Sequence, residues 1–228
     1  MFLGHFAVGL ALKSKNRQTS LGTLFAAVQW PDLIWPIFLL LGWESVLIVP
    51  ASNPLLNFHF VSYPYSHSLA AVLLWAALFA LVYRWRTGRG AAALWLGFAV
   101  VSHWVLDWIA HVPDLPLAPG LADRVGLGLW RVEPAAVALE LVMFAGGLWI
   151  YARATRARDR IGSYGFWSLA GLLGVFYLGS LAGPPPPTVR ALAFSALAMW
   201  PLLLWAAWAD RHREPRAQTQ VHAGATAP

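Results

Sequence analysis

His103, Asp107 and His111 recur at intervals of four inside the run Ser102-His103-Trp104-Val105-Leu106-Asp107-Trp108-Ile109-Ala110-His111-Val112-Pro113-Asp114. On a helix, such positions fall on one face, so the spacing predicts three stacked donors, with Pro113 ending the helix and Asp114 at its mouth. Neutral imidazole and carboxylate are good zinc ligands, and carboxylate also suits manganese or magnesium. The competing reading is a polar stripe lining a hydrogen-bonded interior. Further candidates lie in separate segments: Gly4-His5-Phe6, Trp30-Pro31-Asp32, Ser66-His67-Ser68 and the isolated Glu140. Each has a structural alternative. His5 can be a satisfied interior histidine, Asp32 or Ser66 a helix N-cap, and Glu140 an interhelical hydrogen-bond partner.

The elements that must position these residues are set by composition. Of 228 residues, 59% are hydrophobic and 11% charged. A soluble domain carries about 25% charged residues, so this chain lacks the polar surface to cover itself in water. The composition predicts an all-α, polytopic membrane protein and excludes a cytosolic globule, a disordered chain and a nucleic-acid-binding domain. With no cysteine, disulfides and thiolate metal sites are excluded as well. Five spans are expected, at about His67–Tyr83, Ala91–Ala110, Pro134–Tyr151, Tyr164–Ala182 and Val189–Ala209. Leu21–Val49 reads as a broken helix because of Pro31, Asp32 and Pro36, and Met1–Leu12 as a half-helix dipping into the protein. Residues 1–210 form a single helical domain, and 211–228 read as a polar, disordered tail.

Orientation follows from the basic residues. All but Arg124, Arg131 and Arg190 of the sixteen lysines and arginines lie in four clusters, at 13–17, 84–89, 153–160 and 211–216. Alternating the five spans puts all four clusters on one face, which the positive-inside rule makes cytoplasmic. Counting helical rise from the nearest basic residue places His67, His103, Asp107 and Glu140 about 20–27 Å from that face. Asp32 lies ~22 Å away at most. Candidates from four segments thus share the outer half of the membrane. Such ionisable residues are rare in lipid because each costs at least ~2.5–3.5 kcal/mol at the bilayer centre, so they are expected to have partners.

On Gly4-His5-Phe6, Pro31-Asp32, Ser66-His67-Ser68 and Ser102-His103-xxx-Asp107-xxx-His111, the chain resembles the YdjM-like family of bacterial inner-membrane proteins, predicted metal-dependent hydrolases. The resemblance covers about Met1 to Tyr151, and Gly128-Leu129-Trp130 and Glu140 are in keeping with it. The segment Val61-Ser62-Tyr63-Pro64-Tyr65 lacks the basic residue and Thr-His pair expected there. More distantly, the ligand order is similar to that of zinc-dependent phospholipase C and P1-type nucleases. That likeness implies one metal on Asp32, His67, His103 and Asp107, a second involving His111 and Glu140, and a third bridging Asp107 and His5. Ala136 stands where that pattern has a histidine.

The resulting expectation is an enzyme of the bacterial inner membrane, with its basic loops and C-terminal tail cytoplasmic. It would be a metal-dependent hydrolase holding zinc, or manganese or magnesium, on His5, Asp32, His67, His103, Asp107 and His111. Asp114 or Glu140 would act as general base or orienter. Its partners would be membrane lipids, its substrate a phosphoester of a lipid or lipid-linked molecule near the outer leaflet, and nucleic acid is not expected. The alternatives are an ion- or proton-coupled transporter and a non-enzymatic metal-binding membrane protein.

Overall fold

The computed structural model describes residues 1–216. Nine α-helices form its body: α1 (Leu3–Leu12), α2 (Leu21–Val28), α3 (Trp30–Leu40), α4 (Leu69–Thr87), α5 (Gly90–Ala110), α6 (Glu133–Ala154), α7 (Phe166–Ala182), α8 (Val189–Leu197) and α9 (Met199–Arg211). Five helices are long and apolar enough to cross a membrane: α4, α5, α6, α7 with the π-helical turn before it, and α8–α9 taken together. Their outward faces carry exposed large apolar side chains, such as Leu74 and Leu81 on α4, Leu94 on α5 and Val142 on α6. That surface suggests a multi-pass membrane protein.

The chain is mostly helical rather than wholly so. Three antiparallel two-stranded ribbons are also present: β1 (Ser45–Ile48) with β2 (Phe58–Ser62), β3 (Leu115–Pro116) with β4 (Arg124–Val125), and β5 (Thr155–Ala157) with β6 (Arg213–Pro215). The first two lie in the loops at the ends of α3, α4 and α5 away from the basic clusters. Backbone pairing there satisfies N–H and C=O groups that these loops would otherwise leave bare. β6 corrects the expected disordered tail over 211–216. Arg211 ends α9 and the next residues pair with β5, while 217–228 lie outside the described residues.

The bent segment is broken as expected, but between the helices rather than at an internal proline. α2 and α3 meet at Gln29 at an angle of 59°. Pro31 is tolerated in the first turn of α3, where its missing N–H has no intrahelical role, and Pro36 sits inside the helix. The expected fifth span is interrupted as well, at Ala198, just before Pro201 in the first turn of α9.

α1 brings His5 to the site. Its flanks Leu3, Phe6 and Leu10 are buried, and it packs against α6, α2 and α5. The approach to α6 is close because position 147 is glycine: a Cβ there would stand 2.7 Å from the Ala7 carbonyl oxygen. At its far end α1 is tied down by charge. Lys13 Nζ donates to Asp210 Oδ2 at 2.6 Å and to the Thr19 carbonyl at 2.8 Å. The same aspartate accepts from Tyr151 Oη at 2.6 Å and from the Leu21 amide at 3.0 Å. All four segments α1, α2, α6 and α9 thus converge on one buried, fully bonded carboxylate.

Candidate metal centre

The amino ends of α1, α3 and α4 and the C-terminal half of α5 meet in one place. From α5, His103 and Asp107 project side by side, one turn apart, with Nε2 and Oδ2 separated by 3.0 Å. Asp32, in the first turn of α3, and His67, just before α4, complete a ring. His67 Nε2 stands 3.3 Å from Asp32 Oδ1 and 3.9 Å from Asp107 Oδ2, and His103 Nε2 stands 3.8 Å from Asp32 Oδ1. Ligand atoms 2.0–2.2 Å from a tetrahedral zinc ion stand roughly 3.3–3.6 Å apart. The ring has the dimensions of such a shell.

The protonation of the two imidazoles follows from their outer partners. His103 Nδ1 lies 2.8 Å from the carbonyl oxygen of Val28, the last residue of α2. A carbonyl only accepts, so Nδ1 carries the proton and donates it. The break between α2 and α3 supplies this acceptor, since carbonyls at a helix end lack intrahelical partners. His67 Nδ1 lies 2.7 Å from Ser66 Oγ, whose own proton goes to Glu44 Oε2 at 2.6 Å. The serine must therefore accept from His67. Glu44 is buried and also accepts from the amides of Tyr65 and Ser66, both at 2.8 Å. Both Nε2 atoms are left facing carboxylate oxygens, and His103 Nε2 is buried without a hydrogen-bond partner. A proton on either Nε2 would make that ring an imidazolium donating to these carboxylates, and a divalent cation would instead take the same nitrogen and oxygen lone pairs. The amino group of Met1 sits 2.5 Å from Asp107 Oδ1, which puts positive charge against the same carboxylate.

The donor set fits a divalent cation on a second count, its mix of nitrogen and oxygen. Two groups can hold an ion: Asp32, His67 and His103, and His5, His103 and Asp107, with the ligand atoms in each group within 4.8 Å of one another. His5 Nε2 is 3.1 Å from Asp107 Oδ1, and its ring stacks on that of His103 with centroids 3.8 Å apart. His5 Nδ1 is buried and unpartnered, while Nε2 faces the acceptor oxygen of Asp107, so the neutral His5 ring carries its proton on Nε2.

His111, Asp114 and Glu140 are placed differently from the expectation. α5 ends at Ala110, and His111 takes an extended backbone, so the third donor of the spacing leaves the helical face. The carbonyls of Trp108 and His111 accept from the amides of Leu127 and Gly128, which seals the helix end with loop backbone. His111 Nδ1 then pairs with Asp114 Oδ1 at 2.9 Å, and the same oxygen accepts from Tyr63 Oη at 2.8 Å. Burial and the Asp114 carboxylate push the Tyr63 hydroxyl well above its ordinary pKa, so it stays a donor. Glu140 accepts from the amides of Phe2 and Gly4, at 2.9 and 3.1 Å, and so caps α1 from the neighbouring helix. Among the described residues, neither His111 nor Glu140 belongs to a group of three ligand-type side chains whose atoms lie within 4.8 Å of one another.

Ser66 is also not the N-cap of α4, since Ser68 accepts from the Ala71 amide instead. Ser66 is freed to orient His67. Glu44 and the Val28 carbonyl are the contributors that the sequence did not disclose. A lone acid behind an apolar stretch was the only signal for Glu44, and a backbone carbonyl gives none.

The ring opens onto a chamber of about 630 Å³. Asp32, His67, Asp107, His111 and Glu140 line one end, and Trp130 covers His111 with ring centroids 4.1 Å apart. The rest of the wall comes from the chain start, Trp35 of α3, residues 54–60 around the start of β2, and α7, α8, α9 and the prolines between them. Comparison with protein-family models, curated proteins and solved structures finds no match for this chain.

Proposed function

We propose that the chain is a membrane-embedded, metal-dependent hydrolase acting on a phosphoester of a lipid or lipid-linked substrate near the outer leaflet of a bacterial inner membrane. The observation that carries this reading is the closed ring of Asp32, His67, His103 and Asp107, with the Nε2 atoms of two imidazoles directed at two carboxylates. These four residues would hold the cation, with His5 beside them, and their two-nitrogen, two-oxygen set suits zinc. When bound, such an ion supplies Lewis acidity to a phosphoryl oxygen and acidifies water.

The chain's own groups supply the rest. Asp114 accepts a hydrogen bond from the Nδ1–H of His111, which leaves Nε2 as the basic atom of a ring that lines the chamber. That atom can accept a proton from water and return one to the leaving oxygen. Asp114 is on this reading an orienter of His111, and Glu140 a holder of α1. The order of motifs that resembles YdjM-like proteins supports the same conclusion. So does the position of the ring, toward the ends of α4, α5 and α6 opposite their basic termini.

The test is metal content and turnover in detergent-purified protein. Wild type is expected to retain divalent metal, and Asp107→Ala to lose it at least tenfold, together with hydrolysis of labelled phospholipids and generic phosphodiesters. Equal, near-zero metal in both proteins overturns the reading. Metal uptake into proteoliposomes without hydrolysis replaces it with transport.

A further inference from the structure

The chamber beside the ring is polar at one end only. Its far wall is Phe176 and Leu181 of α7, Pro184, Pro185 and Pro186 of the connector, Leu192 and Ala196 of α8, and Met199 and Leu202 of α9. The two serines there are already occupied: Ser180 Oγ donates to the Tyr177 carbonyl at 2.7 Å and Ser195 Oγ to the Leu192 carbonyl at 2.8 Å. The three prolines have no N–H to offer. The interruption of the last span at Ala198 falls on this wall, with Ala196, Ala198 and Met199 all facing the space. A surface built from such groups offers no free side-chain donor to a sugar, a base or a peptide. One exception stands near the boundary between the two ends. Tyr177 is buried, stacks on Phe2 with centroids 6.4 Å apart, and its hydroxyl has no partner.

We infer that this chamber seats a hydrocarbon chain of the substrate, and that Tyr177 donates a hydrogen bond to an oxygen where chain and headgroup join. The ligand class is a phosphorylated amphiphile, with its phosphoester at the Asp/His ring and its tail against α7, the proline connector and α8–α9. A chamber of this volume is in the range that encloses most of a small ligand. The inference rests on the hydrolase reading for what happens to the headgroup, but the seat itself is a binding property and can be measured separately.

The experiment uses a monoacyl glycerophospholipid with a diazirine near the chain end, photolysed in the full-length protein in detergent. Crosslinks are expected within Phe176–Leu181 and Leu192–Leu202. Ala196→Trp, which fills the chamber, is expected to cut that labelling at least tenfold and leave metal content unchanged. Hydrolysis of long-chain substrate should fall at least tenfold in this variant, while cleavage of a chainless aryl phosphodiester stays within about twofold of wild type. If Ala196→Trp does not fold, Met199→Trp serves in its place. Tyr177→Phe should weaken long-chain lipid binding about two- to tenfold, the loss of one hydrogen bond. Labelling spread over outward positions such as Leu74 and Leu81, and indifferent to the tryptophan, overturns the chain seat while the aryl ester still reports on hydrolysis. Chamber labelling with neither ester cleaved upholds the seat and overturns the hydrolase reading.

Discussion

Two histidines of the ring owe their orientation to groups outside it, and that dependence can be tested without touching a ligand. Glu44→Gln and Ser66→Ala leave Asp32, His67, His103 and Asp107 in place but remove the chain of hydrogen bonds that keeps the His67 proton on Nδ1. Loss of such outer partners typically costs 10–100-fold in metal affinity. A fall of that size is expected in a chelator competition titration, with little change in helical content by circular dichroism. Unchanged affinity in both variants would show that His67 is held by packing alone. At this scale the sequence was partly legible. His103 and Asp107 follow from helical spacing because both remain on α5. His111 does not, because the spacing rule presumes a helix that continues, and here Pro113 and the amides of Leu127 and Gly128 end it first. Glu44 meets Ser66 only after the loops of β1 and β2 have folded, so no local pattern announces it.

At the scale of elements, the site is assembled by interruptions. The break at Gln29 gives Asp32 a first-turn position on α3 and leaves the Val28 carbonyl for His103. The break at Ala198 lies on the chamber wall. Pro31 and Pro36 pointed to a discontinuous segment, but the site of the bend was not readable, since either proline is compatible with a helix that starts one turn earlier. The interface of α1 with α6 offers a sharper test. A β-branched side chain at 147 meets the Ala7 backbone, so Gly147→Val should push α1 away and destabilise the fold by about 1–3 kcal/mol, as overpacking does. Thermal unfolding in detergent measures this. Because α1 brings only His5 to the ring, metal bound through the other four ligands is expected to survive at low temperature.

For the whole molecule, the charge pattern carries the topology. The expected spans coincide closely with α4 to α7, because length and apolarity suffice to find such helices. The short ribbons were invisible, since a two- or four-residue strand in a loop has no periodicity to detect. The absence of cysteine allows a direct check of orientation. In intact spheroplasts, an impermeant maleimide is expected to label Ala122→Cys and to spare Thr87→Cys until the membrane is opened. The reverse order of labelling would invert the assignment. The lysine buried at the C-terminal end of α1 has a bearing on how the protein is made. Its counter-ion, Asp210, follows 197 positions later. At 5–20 residues per second, the ribosome needs on the order of 10–40 s to deliver it. Until then Lys13 is a cation without an anion. A nascent chain arrested before its last helix therefore lacks the carboxylate that neutralises this ammonium in the finished protein.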